Sequence, residues 1–157
     1  MLVLGVDPGS LNTGYGLVKK EYNRLIYVGG GKISFPYSWP FNKRIYSIFR
    51  SLVEIIDTYH PEEMSIEDIF FAKNVKSALK IGHVRGAAMV AAIQADLKVF
   101  EYTPLQIKQS VVGYGRATKE QVRAMVKVIL NLDAQIPLDT SDALAIAICH
   151  HNWLRIE

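Results

Sequence analysis

Residues 2–7 read Leu-Val-Leu-Gly-Val-Asp, a run with no polar side chain on either face until its last position. Successive strand residues point to opposite sides, so a strand apolar on both faces belongs inside a sheet that is covered above and below. Its terminal Asp7 then carries a carboxylate out of the sheet's end. Pro8, Gly9 and Ser10 make a turn, and residues 13–20 and 24–34 supply two further strands. Gly29, Gly30 and Gly31 mark a bulge or a close backbone approach in the third. Connections this short imply that the three strands run antiparallel.

Beyond them the chain changes rhythm. Pro36 and Pro40 bracket a loop, and Ile45, Ile48, Phe49, Leu52, Ile55, Ile56 and Tyr59 then recur at helical spacing until Pro61. A fourth strand over 63–68, a helix over 77–95, a fifth strand over 98–102 and a short helix over 104–112 follow. Thr118 caps a helix reaching about Asn131, with Gln121 as its capping-box partner. Residues 140–154 form the last helix. The order describes an α/β chain: a mixed five-stranded sheet with helices on both faces, in one domain spanning 1–157.

Bulk properties exclude several classes. At 157 residues, half apolar and about a fifth charged, the chain is expected to be a soluble globular protein. No apolar stretch approaches the roughly 20 residues that span a bilayer. No secretory signal is visible, the single Cys149 forms no internal disulfide, and a reducing cytoplasm is the expected location. Residues 70–127 hold ten Lys/Arg against three acids, whereas 128–157 hold one Arg against four acids. A basic surface beside an acidic pocket suits an enzyme acting on a polyanion.

Four carboxylates lie where elements begin or end: Asp7, Glu67, and the pair Asp139 and Asp142 at the start of the last helix. Oxygen-only ligands suit Mg²⁺ or Mn²⁺, and two such ions about 4 Å apart catalyse in-line displacement at phosphorus. Each feature also has a plain explanation. Asp7 can bond local turn N–H groups, and Asp139 and Asp142 suit a helix N-terminus. Glu67 and Asp68 are rivals, since strand neighbours face opposite ways. Within the glycine-rich segment running from Gly5 to Gly16, glycines are expected to bring backbone close to a phosphate.

Phe70, Phe71, Ala72, Lys73 and Asn74 follow Glu67 directly, and two aromatics beside a basic loop either stack on bases or pack in the core. Lys119, Arg123 and Lys127 form a basic stripe on one helix, preceded by Gly113, Tyr114, Gly115 and Arg116 in a basic loop. Gly82, Gly86, Ala87, Ala88, Ala91 and Ala92 make the second helix small-sided, fit for the core or for a dimer axis. His150 and His151 are expected at a helix end, where positive imidazoles suit the dipole.

In this order, the motifs resemble the RuvC family of bacterial Holliday-junction resolvases. The carrying segments are residues 5–16, Ile66-Glu67 with residues 70–74, Ser77-Ala78-Leu79-Lys80, Glu101-Tyr102, residues 108–113 and residues 139–145. The resemblance implies an RNase H-like fold and places the family's four catalytic, metal-holding acids on Asp7, Glu67, Asp139 and Asp142. It places a junction-contacting aromatic on Phe70 and basic DNA contacts on Lys108 and Lys119. Lys73, Asn74, Lys76, Lys80, Arg116 and Arg123 complete the expected DNA-binding set. It also implies a homodimer on a four-way DNA junction, two Mg²⁺ ions per site with Mn²⁺ as substitute, and work beside the RuvA and RuvB branch-migration proteins. The expected products are paired nicks with 5′-phosphate and 3′-hydroxyl ends.

Two other readings stand beside this one. A nucleotide-binding ATPase of the actin and sugar-kinase type also starts on a strand Asp followed by glycines, but needs two lobes and a second phosphate loop. A junction-binding protein without nuclease activity would gain nothing from four clustered carboxylates.

Overall fold

The computed structural model describes residues 1–9, 11–68 and 74–154. Its elements are β1 (Leu2–Asp7), β2 (Asn12–Glu21), β3 (Arg24–Ser34), α1 (Phe41–Tyr59), β4 (Glu63–Glu67), α2 (Val75–Gln94), β5 (Lys98–Tyr102), α3 (Pro104–Val112), α4 (Lys119–Leu130) and α5 (Leu138–Trp153). The strands order as β3-β2-β1-β4-β5. β1 is therefore central, antiparallel to β2 and parallel to β4. The register between β2 and β3 slips between Leu17, opposite Gly29, and Val18, opposite Tyr27. Val28 is the extra residue, so the bulge sits beside the glycine triplet.

Alternation along β1 divides the core in two. Leu4 and Val6 point with Leu17, Met64 and Ile66 toward α1 and α2, meeting Ile48, Leu52, Ile56, Val84 and Ala88. Val3 points with Val18 to the other face, against Leu144 and Ile148 of α5, Val122 and Val126 of α4, and Ile107 of α3. α5 lies between the sheet and α3/α4, and its residues Thr140, Ser141 and 143–151 are all buried. A helix enclosed on all sides needs apolar residues all round, which explains its alanine-rich, unstriped sequence.

Local chemistry sets the helix ends. Thr118 and Gln121 form the expected capping box, and Thr103 and Gln106 form another ahead of α3. Each cap stabilises its helix by about 1 kcal/mol. α1 ends at His60 in the left-handed conformation just before Pro61. On α2 the small residues divide their work. Ala87, Ala88, Ala91 and Ala92 are buried, whereas Gly82 and Gly86 face open space.

The two histidines of α5 do more than end a helix. Both are fully buried. The His150 ring bridges the Tyr102 hydroxyl at Nδ1 (2.7 Å) and the Glu63 carboxylate at Nε2 (2.6 Å). His151 donates from Nε2 to the Val18 carbonyl (2.9 Å), and its Nδ1 has no partner among the described residues. Burial holds the His151 pKa below its ordinary value, so its ring is neutral. These side chains pin α5 to β2, β4 and β5. Nearby Cys149 is buried too, its thiol pushed up to about 12. Among the described residues, no helix is long and apolar enough to cross a membrane.

Candidate active site

Strand parity decides which carboxylates can meet. Val3, Gly5 and Asp7 of β1 share the face covered by α5, as Glu63, Ser65 and Glu67 do on parallel β4. Asp7 and Glu67 thus emerge side by side at the C-terminal ends of two neighbouring strands. Asp68 belongs to α2 instead: Arg85 pairs with it at 3.4 Å, also holds Glu101, and donates from Nε to the Glu67 carbonyl (3.1 Å). The choice left open between Glu67 and Asp68 is settled geometrically in favour of Glu67 as Asp7's neighbour.

Asp139 and Asp142 arrive on α5, and glycines let that helix come so near. A Cβ on Gly5 would overlap the Ala143 carbonyl and lie 2.9 Å from the Ala147 nitrogen. One on Gly14 would overlap the Asp139 carbonyl, and one on Gly16 would stand 2.7 Å from Leu144 Cδ2. Contacts that tight would force α5 off the sheet. These glycines therefore seat a helix, where the sequence suggested room for a phosphate. Asp139 sits in the first turn of α5 behind the N-cap residue Pro137, so it does not cap the helix.

The result is a cleft of about 300 Å³ whose wall includes Asp7, Glu67, Asp142, Lys108 and Lys119, backed by Ile107, Val122 and Ile146. Burial and then the charge of Glu67, followed by those of Asp142 and Asp139, push the Asp7 carboxyl up to about 7. Burial also raises Glu67, against the pull of Lys119. Asp142 is held by Arg123, which donates to both its carboxylate oxygens. Among the described residues no three His, Cys, Asp or Glu side chains converge closely enough to form a ready metal cage. What they form is an acidic rim in which Asp7 and Glu67 are desolvated without a cation of their own. Such a rim of hard oxygen donors, costly to ionise, fits divalent cations of the Mg²⁺ class.

The expected nucleic-acid contacts are spread around this cleft. Lys108 and Lys119 line it. Arg116 is exposed just before α4, while Arg123 is engaged with Asp142. Lys76 and Lys80 lie in the first turns of α2, and Asn74 caps that helix by accepting from the Lys76 amide (2.9 Å). Phe70, Phe71 and Lys73 lie outside the described residues. Arg85 was missed in the sequence, because nothing local shows that a helix arginine will reach across to two strands. So was a group of aromatics between Phe35 and Phe41, read only as a loop bracketed by prolines. Their occurrence at every second position, followed by Lys43-Arg44, was the available signal.

Comparison with known proteins matches this architecture along nearly its whole length. The family model described as Crossover junction endodeoxyribonuclease RuvC matches residues 3–150. A crossover junction endodeoxyribonuclease RuvC from Geotalea uraniireducens (strain Rf4) is 55% identical over 152 residues, covering 97% of this chain and 89% of that protein. One from Ruminiclostridium cellulolyticum (strain ATCC 35319 / DSM 5812 / JCM 6584 / H10) is 50% identical over 157 residues, covering 99% and 95%. Among solved structures, T. thermophilus RuvC in complex with Holliday junction substrate superimposes with a TM-score of 0.94 at 35% identity, covering 99% of this chain and 96% of that one.

Proposed function

We infer that the chain, which belongs to the RuvC family of crossover junction endodeoxyribonucleases, resolves four-way DNA junctions by paired symmetric nicks. Its fold is the RNase H-like α/β arrangement, a mixed five-stranded sheet with helices on both faces. The observation that carries the reading is the convergence of Asp7, Glu67 and Asp142 on one cleft with Lys108 and Lys119.

Asp7, Glu67, Asp139 and Asp142 are the residues that would hold two Mg²⁺ ions, with Mn²⁺ as substitute. When bound, such ions supply an activated water and charge stabilisation for an in-line displacement, leaving 5′-phosphate and 3′-hydroxyl ends. The chain's own residues do the rest. Lys108 and Lys119 draw the scissile phosphate toward the acids. Ile107, Val122 and Ile146 wall the cleft and keep bulk water from its floor. Asp7, sharing its face with Glu67, fixes where the phosphorus must sit. Arg116, Lys76 and Lys80 lie outside the cleft for more distant phosphates, and the family resemblance assigns junction contacts to Phe70, Lys73 and Asn74.

The whole chain is read as one nuclease domain. A homodimer would place two clefts on one junction, and the outward face of α2 suits the contact. Gly82 and Gly86 open toward solvent there, and Val75, Leu79, Val90 and Ile93 are exposed along the helix. A cytoplasmic protein working beside RuvA and RuvB completes the reading. The test is incubation of the purified protein with a labelled four-way junction and Mg²⁺, beside a linear duplex and the Asp7→Asn variant. Paired nicks in the junction alone, absent from the variant, are expected. Junction binding without cleavage in Mg²⁺ or Mn²⁺ would overturn it.

A further inference from the structure

Every cation–π pair among the described residues falls in one patch, where the β3–α1 connection meets the first turns of α1 and α2. Phe35 and Trp39 stack with ring centroids 5.4 Å apart at 17°. Lys43 Nζ lies 3.9 Å from the centroid of Trp39. The Arg44 guanidinium stands 5.2 Å from the rings of both Tyr37 and Phe41. From α2, Lys80 reaches to 5.6 Å over Phe41, and His83 meets the same ring edge-on. Among the described residues, no carboxylate forms an ion pair with Lys43 or Lys80. Neither α1 nor α2 carries an acid in its first turn, so both positive helix ends add to the field.

The patch lies at the catalytic end of the sheet. Asp7 pairs with Gly14, and Asn12 at the start of β2 pairs with Ser34 at the end of β3. Gly14 in turn pairs with Lys32, so two strand spacings put Lys32 of β3 about 10 Å from Asp7. Lys80, in the opening turns of α2 that follows Glu67, reaches the patch as well.

A lysine over an aromatic face is held there only weakly. That hold adds little to the stability of the fold. It is enough to keep a lysine from wandering, and a lysine already in place loses less freedom when it meets an anion. Lys43 and Lys80 lie over different rings, with Arg44 sharing Phe41, and none of the described carboxylates pairs with the lysines. A row of such fixed positive charges matches a row of phosphates better than a single small anion.

We propose that this patch is a second nucleic-acid contact, in which Trp39 and Phe41 hold Lys43 and Lys80 against the phosphate backbone of a DNA arm leaving the acidic cleft. This rests on the reading of the cleft as a DNA-cutting site, and it lengthens the DNA track across the α1/α2 side of the sheet. Tyr37, 72% exposed, borders the same path.

The test is salt-dependent binding of a fluorescent four-way junction in EDTA. Each phosphate contact contributes a slope of about 0.9 in log K against log salt. Lys43→Gln should therefore flatten the slope by about one, and Lys43→Gln with Lys80→Gln by about two, while Lys43→Arg restores it. In a Trp153→Phe background, the emission of Trp39 should also shift as junction is added, because a phosphate beside Lys43 changes the charge facing its ring. A Lys43→Gln slope superimposable on wild type overturns the proposal, whatever Trp39 emission does. Mg²⁺-dependent nicking by the wild type, scored in parallel, separates the two readings. Nicking with an unchanged slope overturns the patch alone. A flattened slope without nicking overturns the nuclease and keeps the patch as a DNA contact.

Discussion

Arg123 lays its guanidinium along the Asp142 carboxylate, donating from Nε to one oxygen and from a terminal nitrogen to the other, each at 3.1 Å. The arginine thus occupies an acid of the cleft with the one positive fork that matches both its oxygens. Arg123→Gln should weaken the metal-free protein by less than about 1 kcal/mol, since both partners are partly solvated. It should also lower the Mg²⁺ concentration giving half-maximal thermal protection, because a competitor for Asp142 has gone. A higher Mg²⁺ midpoint in the variant would show that Arg123 organises the carboxylate instead.

Asp7→Asn should abolish cleavage and stabilise the metal-free fold. Asp7 rises from 3.8 to about 7 on folding. A raised acid adds stability that is complete below its unfolded pKa and is lost as pH climbs through the folded one. At pH 8 the ionised carboxylate is a burden that asparagine removes, on the order of 1–3 kcal/mol. Thermal melts in EDTA at pH 5 and pH 8 check this. The gain should be large at pH 8 and small at pH 5.

The same shift predicts a pH-dependent metal affinity. Ions that take Asp7 must displace its proton below about 7. At limiting Mg²⁺, cleavage should climb roughly tenfold per pH unit below that point and level off above it. At saturating Mg²⁺ the rise should move to lower pH. A rate flat from pH 5.5 to 8 at limiting Mg²⁺ would remove Asp7 from the metal site.

Gly14→Ala should cost about 1–3 kcal/mol, because its methyl group would enter the Asp139 carbonyl at a backbone position with nowhere to yield. Activity should fall more than stability does, since the displaced residue is one of the acids proposed to hold metal. An alanine at Gly82, inside α2 where space is open, should stabilise the monomer by about 0.5–1 kcal/mol.

His151 makes the fold acid-sensitive. Its folded pKa lies below the ordinary 6.5, so the folded chain resists a proton that the unfolded chain accepts. Stability should be level above pH 6.5 and fall as pH drops below it. His151→Gln keeps a donor for the Val18 carbonyl and should flatten that decline. Urea melts from pH 5 to pH 7.5 would reveal it.

Much of the architecture was legible because local rules agreed with the global fold. The doubly apolar run of β1 placed it at the centre, and the Ile48, Leu52 and Ile56 spacing gave α1 its buried face. Gln121 three residues after Thr118 marked the α4 start. What stayed hidden depends on approach between distant segments. Gly14 and Gly16 look like turn glycines until α5 is laid over them. Arg123 looks like one rung of a solvated stripe until Asp142, nineteen positions later, is brought beneath it. His150 looks like a plain helix-end residue until Tyr102 and Glu63 close around it. Sequence spacing reports neighbours along one element, and these pairings cross between elements.

α5 carries two of the acids on its first turns and is anchored at its far end by His150 and His151, with scarcely a residue between them facing water. Chemistry and core are consequently a single inheritance. A lineage that drifts in where or how fast it cuts has almost no freedom along this helix, since any adjustment disturbs the packing of both the sheet and the α3/α4 layer. Divergence among such chains should accumulate at the periphery, in stretches such as the aromatic connection before α1, where a new preference can arise without reopening the interior.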